Sequence, residues 1–422
     1  MTNKVKQRIE QIGRGEVPEG YRKTKAGIMP DAWLSDKIYK AKDVFYSVTN
    51  KKHNGQFEVL SATQDRGVIP RSQVDIDIKY SEESISGYKK VDKGDFVISL
   101  RSFQGGIEYS EYEGLVSPAY TVLKNKLPIC DGYYKAYFKT NDYINRLNKG
   151  TYGIRDGKQV GFEDFGDMVI HYPSLVEQER IAEILGTQDK LIALKEKRIA
   201  EKKQQKKYLM QQLLTGKKRL PGFTGEWKSV KIGNSFKVIS GYPFDSKNFT
   251  DSGVSVIRIQ NIDNGVVNLT NSAKHNKFDI CQYNVAYTGD VLIAMSGATT
   301  GKIGVYLGEE EAYINQRVGK FIVLGSNVVK KQYLIQILLS ELFFDKLKVL
   351  LSTGAQPNIG SGDLEKMKFM VPMEVKEQQA IANILSQADQ EIEVLQKDLE
   401  EEKNKKKALM QLLLTGIVRV TE

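Results

Sequence analysis

Apolar positions fall at helical spacing along one stretch of the chain, where Ile181, Ile184, Leu185, Ile192, Ile199, Leu209, Leu213 and Leu214 share one side of a helix. The same pattern returns 200 residues later. Glu177-Gln178 becomes Glu377-Gln378, Asp189 becomes Asp389, and LMQQLLTG (209–216) becomes LMQLLLTG (409–416), with no gap from residue 177 to residue 216. Gly186 and Asp189 predict a short helix, a break and a longer helix, and Gly216 predicts its C-terminal stop. From Asp189 to Thr215 such a helix spans roughly 40 Å. The seven-residue series Ile192, Ile199, Lys206, Leu213 and Ile392, Leu399, Lys406, Leu413 is apolar except for one lysine each. That describes a coiled-coil-like seam with a wet section. A pseudo-twofold internal repeat makes the two helices antiparallel and brings Lys206 and Lys207 towards Glu400 and Glu401. The alternative, that KEKRIAEKKQQKK is only a solvated helical face, stays open.

Between the helical segments the pattern is mixed. Strands are expected at Phe57–Leu60, Asp95–Leu100 and Tyr120–Leu123, and a helix at Gly132–Leu147. The second half repeats this with strands at Val254–Ile259, Asp290–Met295 and Arg317–Leu324, and a helix at Lys331–Leu350. Trp33-Leu-Ser-Asp-Lys-Ile38 matches Trp227-Lys-Ser-Val-Lys-Ile232, and GDFVIS (94–99) matches GDVLIA (289–294). The resulting division is an N-terminal extension over 1–30, with a short helix at Val5–Ile12. A globular α/β or α+β part follows over 31–173, then a helical segment over 174–216. A second globular part covers 217–373, and a helical segment with a tail covers 374–422.

Composition narrows the function. Hydrophobic residues make up 41% of 422 positions, enough for real cores. No run reaches the roughly 18 apolar residues of a membrane span, and MTNKVKQRIEQIGRGE lacks a signal-peptide core. The expectation is a soluble, cytoplasmic protein without a membrane partner. The two cysteines, Cys130 and Cys281, suggest neither a disulfide framework nor a metal site. A net charge of +10 favours an anionic partner such as nucleic acid.

Catalytic constellations are missing. His53, His171 and His275 stand singly, Asp363 and Glu365 read as a helix start, and no Pro-Pro pair exists for an adenine-methylating motif. MSGATTGKIG is similar to a phosphate loop, but Gly297 and Gly301-Lys302 are one residue too close and Ile303 replaces the magnesium-holding hydroxyl. A nucleotide-dependent enzyme built on this loop, and a stand-alone DNA-binding adaptor, remain as rival readings.

Two divergent globular parts, each followed by EQ-x-x-IA-x-IL…LMQ-x-LLTG, resemble the specificity (S) subunit of Type I restriction–modification enzymes. GYRKTKAGIMPDAW, SGATTGKIG and RLPGFTGEW are similar to that family as well. The resemblance implies two target recognition domains, each reading half of a bipartite double-stranded DNA sequence. It implies helical spacers that set the unread gap and dock two modification (methyltransferase) subunits. Restriction (motor-nuclease) subunits are a further partner whose presence the sequence leaves open. The subunit itself would hold no cofactor. S-adenosylmethionine would sit in the methyltransferase, and ATP and Mg in a restriction subunit. Two readers about one turn of DNA (~34–36 Å) apart predict ~5–8 unread base pairs.

Arginine suits guanine, glutamine and asparagine suit adenine, and lysine mainly meets phosphate. The candidate DNA-binding residues are therefore Gln64, Arg66, Arg101, Gln104, Arg155 and Lys158 in the first part. In the second they are Arg258, Gln260, Asn261, Thr299, Lys302, Arg317, Gln356 and Asn358. QDRG and QNIDNG fall at matching places after a strand. The apolar helical face with Leu209, Met210, Leu213, Leu409, Met410 and Leu413 is the candidate partner-binding surface, with packing between the helices as its alternative role.

Overall fold

The computed structural model describes residues 3–34, 37–53, 55–74, 85–99, 107–150, 160–263, 265–325, 328–352 and 358–420. The chain divides into two compact units: unit 1 is Met1–Glu196 with Asp398–Glu422, and unit 2 is Lys197–Lys397.

In unit 1 the main sheet is antiparallel, in the order Phe45–Val48, Thr121–Asn125, Phe96–Ile98, Glu108–Tyr109. Side chains alternate across it, as a period of two requires. Phe96, Ile98 and Leu123 enter a core with Tyr133, Tyr134, Tyr137 and Phe138. Val97 and Val122 enter a second core on the other face, with Leu60, Val68, Val91 and Val116. That second layer pairs Leu60–Thr63 with Gly67–Pro70 and Lys89–Val91 with Gly114–Val116, and a parallel bridge from Val59 to Leu115 joins the two pairs.

Unit 2 repeats this plan. Its sheet runs Phe236–Ser240, Val318–Val323, Val291–Ala294, Ile303–Val305, and continues through Gly265–Val267 to Ile262–Asp263. Val291 and Ile293 face one core, Leu292 and Ala294 the other. The second sheet again holds a parallel pair, Val254–Ile257 with Ala312–Ile314. The strand before QDRG and the strand before QNIDNG are thus topological equivalents.

The expected helices at Gly132–Leu147 and Lys331–Leu350 are each split in two. Asp131–Tyr137 is followed by Asn141–Gly150, and Lys331–Leu338 by Glu341–Leu351. The cause is the same in both: a hydroxyl side chain at the break donates to the carbonyl three residues back. Thr140 bonds Tyr137 at 2.7 Å and Ser340 bonds Ile337 at 2.6 Å. Such local side-chain bonds offer the backbone an alternative to helix.

Leu175–Leu213 and Val375–Leu414 are single helices, each ~60 Å long at 1.5 Å per residue. The break expected at Gly186 does not occur. One glycine costs only about 1 kcal/mol inside a helix, and Ile181 and Leu185 beside it are buried in the unit 1 core. Within unit 1 the start of the first helix meets the end of the second: Asp189 pairs with Lys406 (2.5 Å), Glu196 with Lys403 (3.0 Å) and Lys195 with Asp398 (2.5 Å). Within unit 2, Lys202 pairs with Glu391 (2.8 Å) and Lys206 with Asp389 (2.5 Å). Numbers rise on one helix as they fall on the other, so the pairing is antiparallel.

The expected register was wrong. Lys206 meets Asp389 and Lys207 meets Glu341, not Glu400 and Glu401. The heptad seam survives, with Ile199, Leu213, Ile392, Leu399 and Leu413 buried. The lysines at its polar step are answered by Asp389 and Asp189, two aspartates related by the repeat.

Both helices end the same way. Gly216 and Gly416 adopt positive φ, 70° and 74°. The N–H groups of Lys218 and Val418 return to the carbonyls of Gln212 and Leu412, closing a seven-residue turn around each glycine. Each end lies on a tryptophan. A Cβ at 216 would sit 3.4 Å from Trp227, and one at 416 would sit 2.8 Å from Trp33.

The Glu-Gln phrase has a matching structural role in each unit. Arg219 donates to buried Glu377 at 2.7 and 2.8 Å and lies over Trp227. Arg419 grips Glu177 and lies over Trp33, whose Nε1 also donates to Glu177 at 2.9 Å. Gln178 and Gln378 each bond the start of the neighbouring helical hairpin and the carbonyl of Pro173 or Pro372.

Candidate nucleic-acid interface

In unit 2, five loops gather at one end of the sheets. Val254–Ile257 leads through Arg258 into a single turn, Ile259–Asn261. The SGATTGK loop joins Val291–Ala294 to its antiparallel neighbour Ile303–Val305. The Thr299 hydroxyl donates to the Ile259 carbonyl at 3.2 Å, and Lys302 Nζ donates to Asp263 Oδ1 at 2.7 Å. Met295 N–H donates to the Arg317 carbonyl, and Ile359 N–H donates to the Met295 carbonyl, both at 2.8 Å. The fifth loop enters where Gln316 N–H meets the Tyr242 carbonyl at 2.9 Å.

Arg258, Gln260, Asn261, Thr299, Lys302, Arg317 and Asn358, scattered over a hundred residues of sequence, are therefore brought together. Their surroundings differ. Gln260, Arg317 and Asn358 are exposed. Arg258 is half-buried, with its guanidinium over Phe249. Asn261 is buried; its amide oxygen accepts from the Arg258 N–H, and its NH2 donates to the Asn268 carbonyl, both at 3.0 Å. Asn261 thus shapes the loop that presents Gln260. Gln356 lies outside the described residues.

The glycine loop is a hairpin connection that leads into a strand, whereas a phosphate loop leads into a helix. The N–H groups of Thr300, Gly301 and Lys302 are bonded to the Gly297, Ala294 and Thr299 carbonyls. These three N–H groups therefore do not form a cradle for an anion.

In unit 1, Gln64 and Arg66 are exposed at the tip of the Leu60–Thr63/Gly67–Pro70 hairpin. Lys139 anchors that tip: its Nζ donates to the Gln64 carbonyl at 3.0 Å and pairs with buried Glu108. Burial pushes the Glu108 carboxyl above its ordinary range. Arg101, Gln104, Arg155 and Lys158 lie outside the described residues.

Residues that sequence reasoning did not single out sit in the same cluster. Tyr242 is exposed beside Phe244 and Phe278, and Asp263 faces Lys302. A search for cations and amides passes over both.

The apolar stripe proposed for partners is not free. Met210 and Leu213 (8% and 3% exposed) belong to the unit 2 core, which Leu209 packs against. Leu413 (5% exposed) belongs to the unit 1 core, which Leu409 and Met410 pack against. An apolar helix face reads alike in sequence whether its partner is its own domain or another chain. No described helix is long and apolar enough to cross a membrane.

Residues 36–204 and 224–403 match the family model described as Type I restriction modification DNA specificity domain. The Type I restriction enzyme MjaVIII specificity subunit of Methanocaldococcus jannaschii is 31% identical over 350 residues, covering 78% of this chain and 80% of that protein. A solved chain described as the structural basis of complex assembly and conformational transition of the type I R-M system has a TM-score of 0.57 at 17% identity, covering 96% of this chain and 100% of that one. The type I restriction–modification S subunit from M. genitalium has a TM-score of 0.55 at 12% identity, covering 90% and 96%. The two solved chains share the fold; the sequence matches, one to each half of the chain, carry the assignment. The chain belongs to the family of Type I restriction–modification DNA specificity subunits.

Proposed function

We propose that each unit is a target recognition domain reading one half of a bipartite double-stranded DNA target, and that the two long helices set the unread gap between the halves. The chain is the recognition component of its enzyme rather than a catalytic one. The observation that carries this reading is the gathering of dispersed arginine, glutamine, asparagine and lysine candidates into one loop cluster on a sheet whose plan occurs in both units. Sheet ladders hold such loops rigid, which base reading requires.

Two modification subunits dock, one on each copy of the repeat. Leu194 and Val394, 65% and 67% exposed at the same repeat position, support a docking point on the outer helix face in place of the buried stripe. S-adenosylmethionine belongs to those subunits, and ATP and Mg to a restriction subunit. The complex works on chromosomal DNA in the cytoplasm.

Mapping adenine methylation in cells with and without the gene tests the reading. Two short blocks around a fixed gap should appear only with the gene, and a matched two-turn insertion in both helices should lengthen the gap and leave the blocks intact. A continuous motif, or a block that changes while the gap does not, would overturn it. Leu194→Arg or Val394→Arg should reduce co-purified modification subunits from two to one. A chain that copurifies with no modification subunit would instead be a stand-alone adaptor.

A further inference from the structure

We infer that Asp263 and Lys302 act together to read one G·C base pair in the major groove, Lys302 over the guanine and Asp263 over the cytosine. The inference rests on the reading that unit 2 binds duplex DNA. Asp263 ends the strand Ile262–Asp263, and Lys302 immediately precedes Ile303–Val305. Both strands pair with Gly265–Val267, through Asp263 opposite Val266 and Gly304 opposite Gly265. Sheet bonds therefore fix the backbone beneath both charges, and Lys302 Nζ lies 2.7 Å from Asp263 Oδ1.

Both side chains reach solvent, at 54% for Asp263 and 44% for Lys302. Ion pairs this exposed add little to stability, so holding the fold is a weak account of the contact. A carboxylate facing DNA is repelled by phosphate and gains only where a base offers an amino hydrogen. Cytosine N4 suits an aspartate, and guanine O6 and N7 suit a lysine. In a G·C pair, guanine O6 and cytosine N4 are joined by their own hydrogen bond, about 2.9 Å apart. The lysine donor and aspartate acceptor present the complementary order at nearly the same spacing. An ammonium has three donors and a carboxylate several lone pairs, so each can keep its partner while meeting a base. An A·T pair in the same orientation sets the adenine amino group against the lysine and the thymine carbonyl against the carboxylate. Both contacts repel, which discriminates against A·T. A T·A pair offers the same order at O4 and N6, and guanine N7, where thymine carries its methyl group, gives the lysine its preference for G·C.

The test uses the full chain with its modification subunits and a duplex library randomised one position at a time across the target, with methylation as the readout. Asp263→Ala and Lys302→Met should each lose preference for G·C at the same single position, by roughly 5- to 150-fold. The double variant should lose no more than either single variant there. The other block and the remaining positions should be unchanged, and Lys302→Arg should keep the guanine preference. Loss at two different positions, a T·A preference at the shared one, uniform weakening at every position or no change would each overturn the assignment. A wild-type complex with no sequence preference would sink the DNA-reading function beneath it as well.

Discussion

Glu177 accepts two hydrogen bonds from Arg419, at 2.5 and 2.7 Å, across 242 residues of chain. The Glu177 carboxylate is buried, so removing the arginine leaves it without its counter-ion. Breaking one side of a buried pair costs about 3 kcal/mol. Arg419→Ala should therefore lower the stability of unit 1 and spare unit 2. The two tryptophans separate the effects, since Trp33 lies in one unit and Trp227 in the other. Unfolding followed by Trp33 emission in a Trp227→Phe background should shift, and the converse background should not. Equal shifts in both would refute the local role of the pair.

The helix register gives a second test. Zero-length carbodiimide cross-linking should join Lys206 to Asp389 and Lys406 to Asp189, each pair at 2.5 Å. Peptides joining Lys206 to Glu400 would refute it. Charge reversal at Lys206 should cost about 1 kcal/mol and be restored by the opposite reversal at Asp389.

His171 makes unit 1 sensitive to acid. Its Nδ1 lies 2.7 Å from the Leu414 carbonyl, at the end of the second long helix. Burial holds the imidazole down to about 4, against an ordinary 6.5. As pH falls below 6.5 the unfolded chain takes up the proton first, so stability present above 6.5 is lost as pH approaches 4. The full loss is about 3 kcal/mol, from a shift of some two and a half pH units. His171→Val should lower stability at neutral pH, because the helix carbonyl loses its donor, and flatten the dependence between pH 6.5 and 4. An unchanged slope in denaturant melts would show that His171 is not the titrating group.

Arg317 is exposed in the loop cluster, and its backbone carbonyl is tied to Met295. Replacing it with alanine should relax one base pair of one block by about 1–3 kcal/mol and leave the other block untouched. Binding measured at two salt concentrations separates the alternatives. A uniform loss with a shallower salt dependence would mark Arg317 as a phosphate contact.

The long helices were legible because their repeat is nearly literal, as in LMQQLLTG and LMQLLLTG. Periodicity gave the buried face but not the axial offset, and Lys206 could have answered any of several acids. The helical hairpins carry the same offset in Tyr133 and Tyr333 and in Thr140 and Ser340, too sparse to stand out without the fold. The equivalence of Leu60–Thr63 with Val254–Ile257 was visible only as two loops after strands. Backbone ladders preserve that topology while the side chains diverge. Asp263 is not legible as a candidate because an acid is repelled by phosphate, and only the fold brings it to Lys302.

Unit 1 is assembled from the first 196 residues and the last 25, whereas unit 2 is one continuous stretch. A ribosome therefore finishes unit 2 while unit 1 still lacks Leu413, Leu414 and Arg419. The portion translated first is completed last. A nascent chain that stops early would leave its leading domain with an open core.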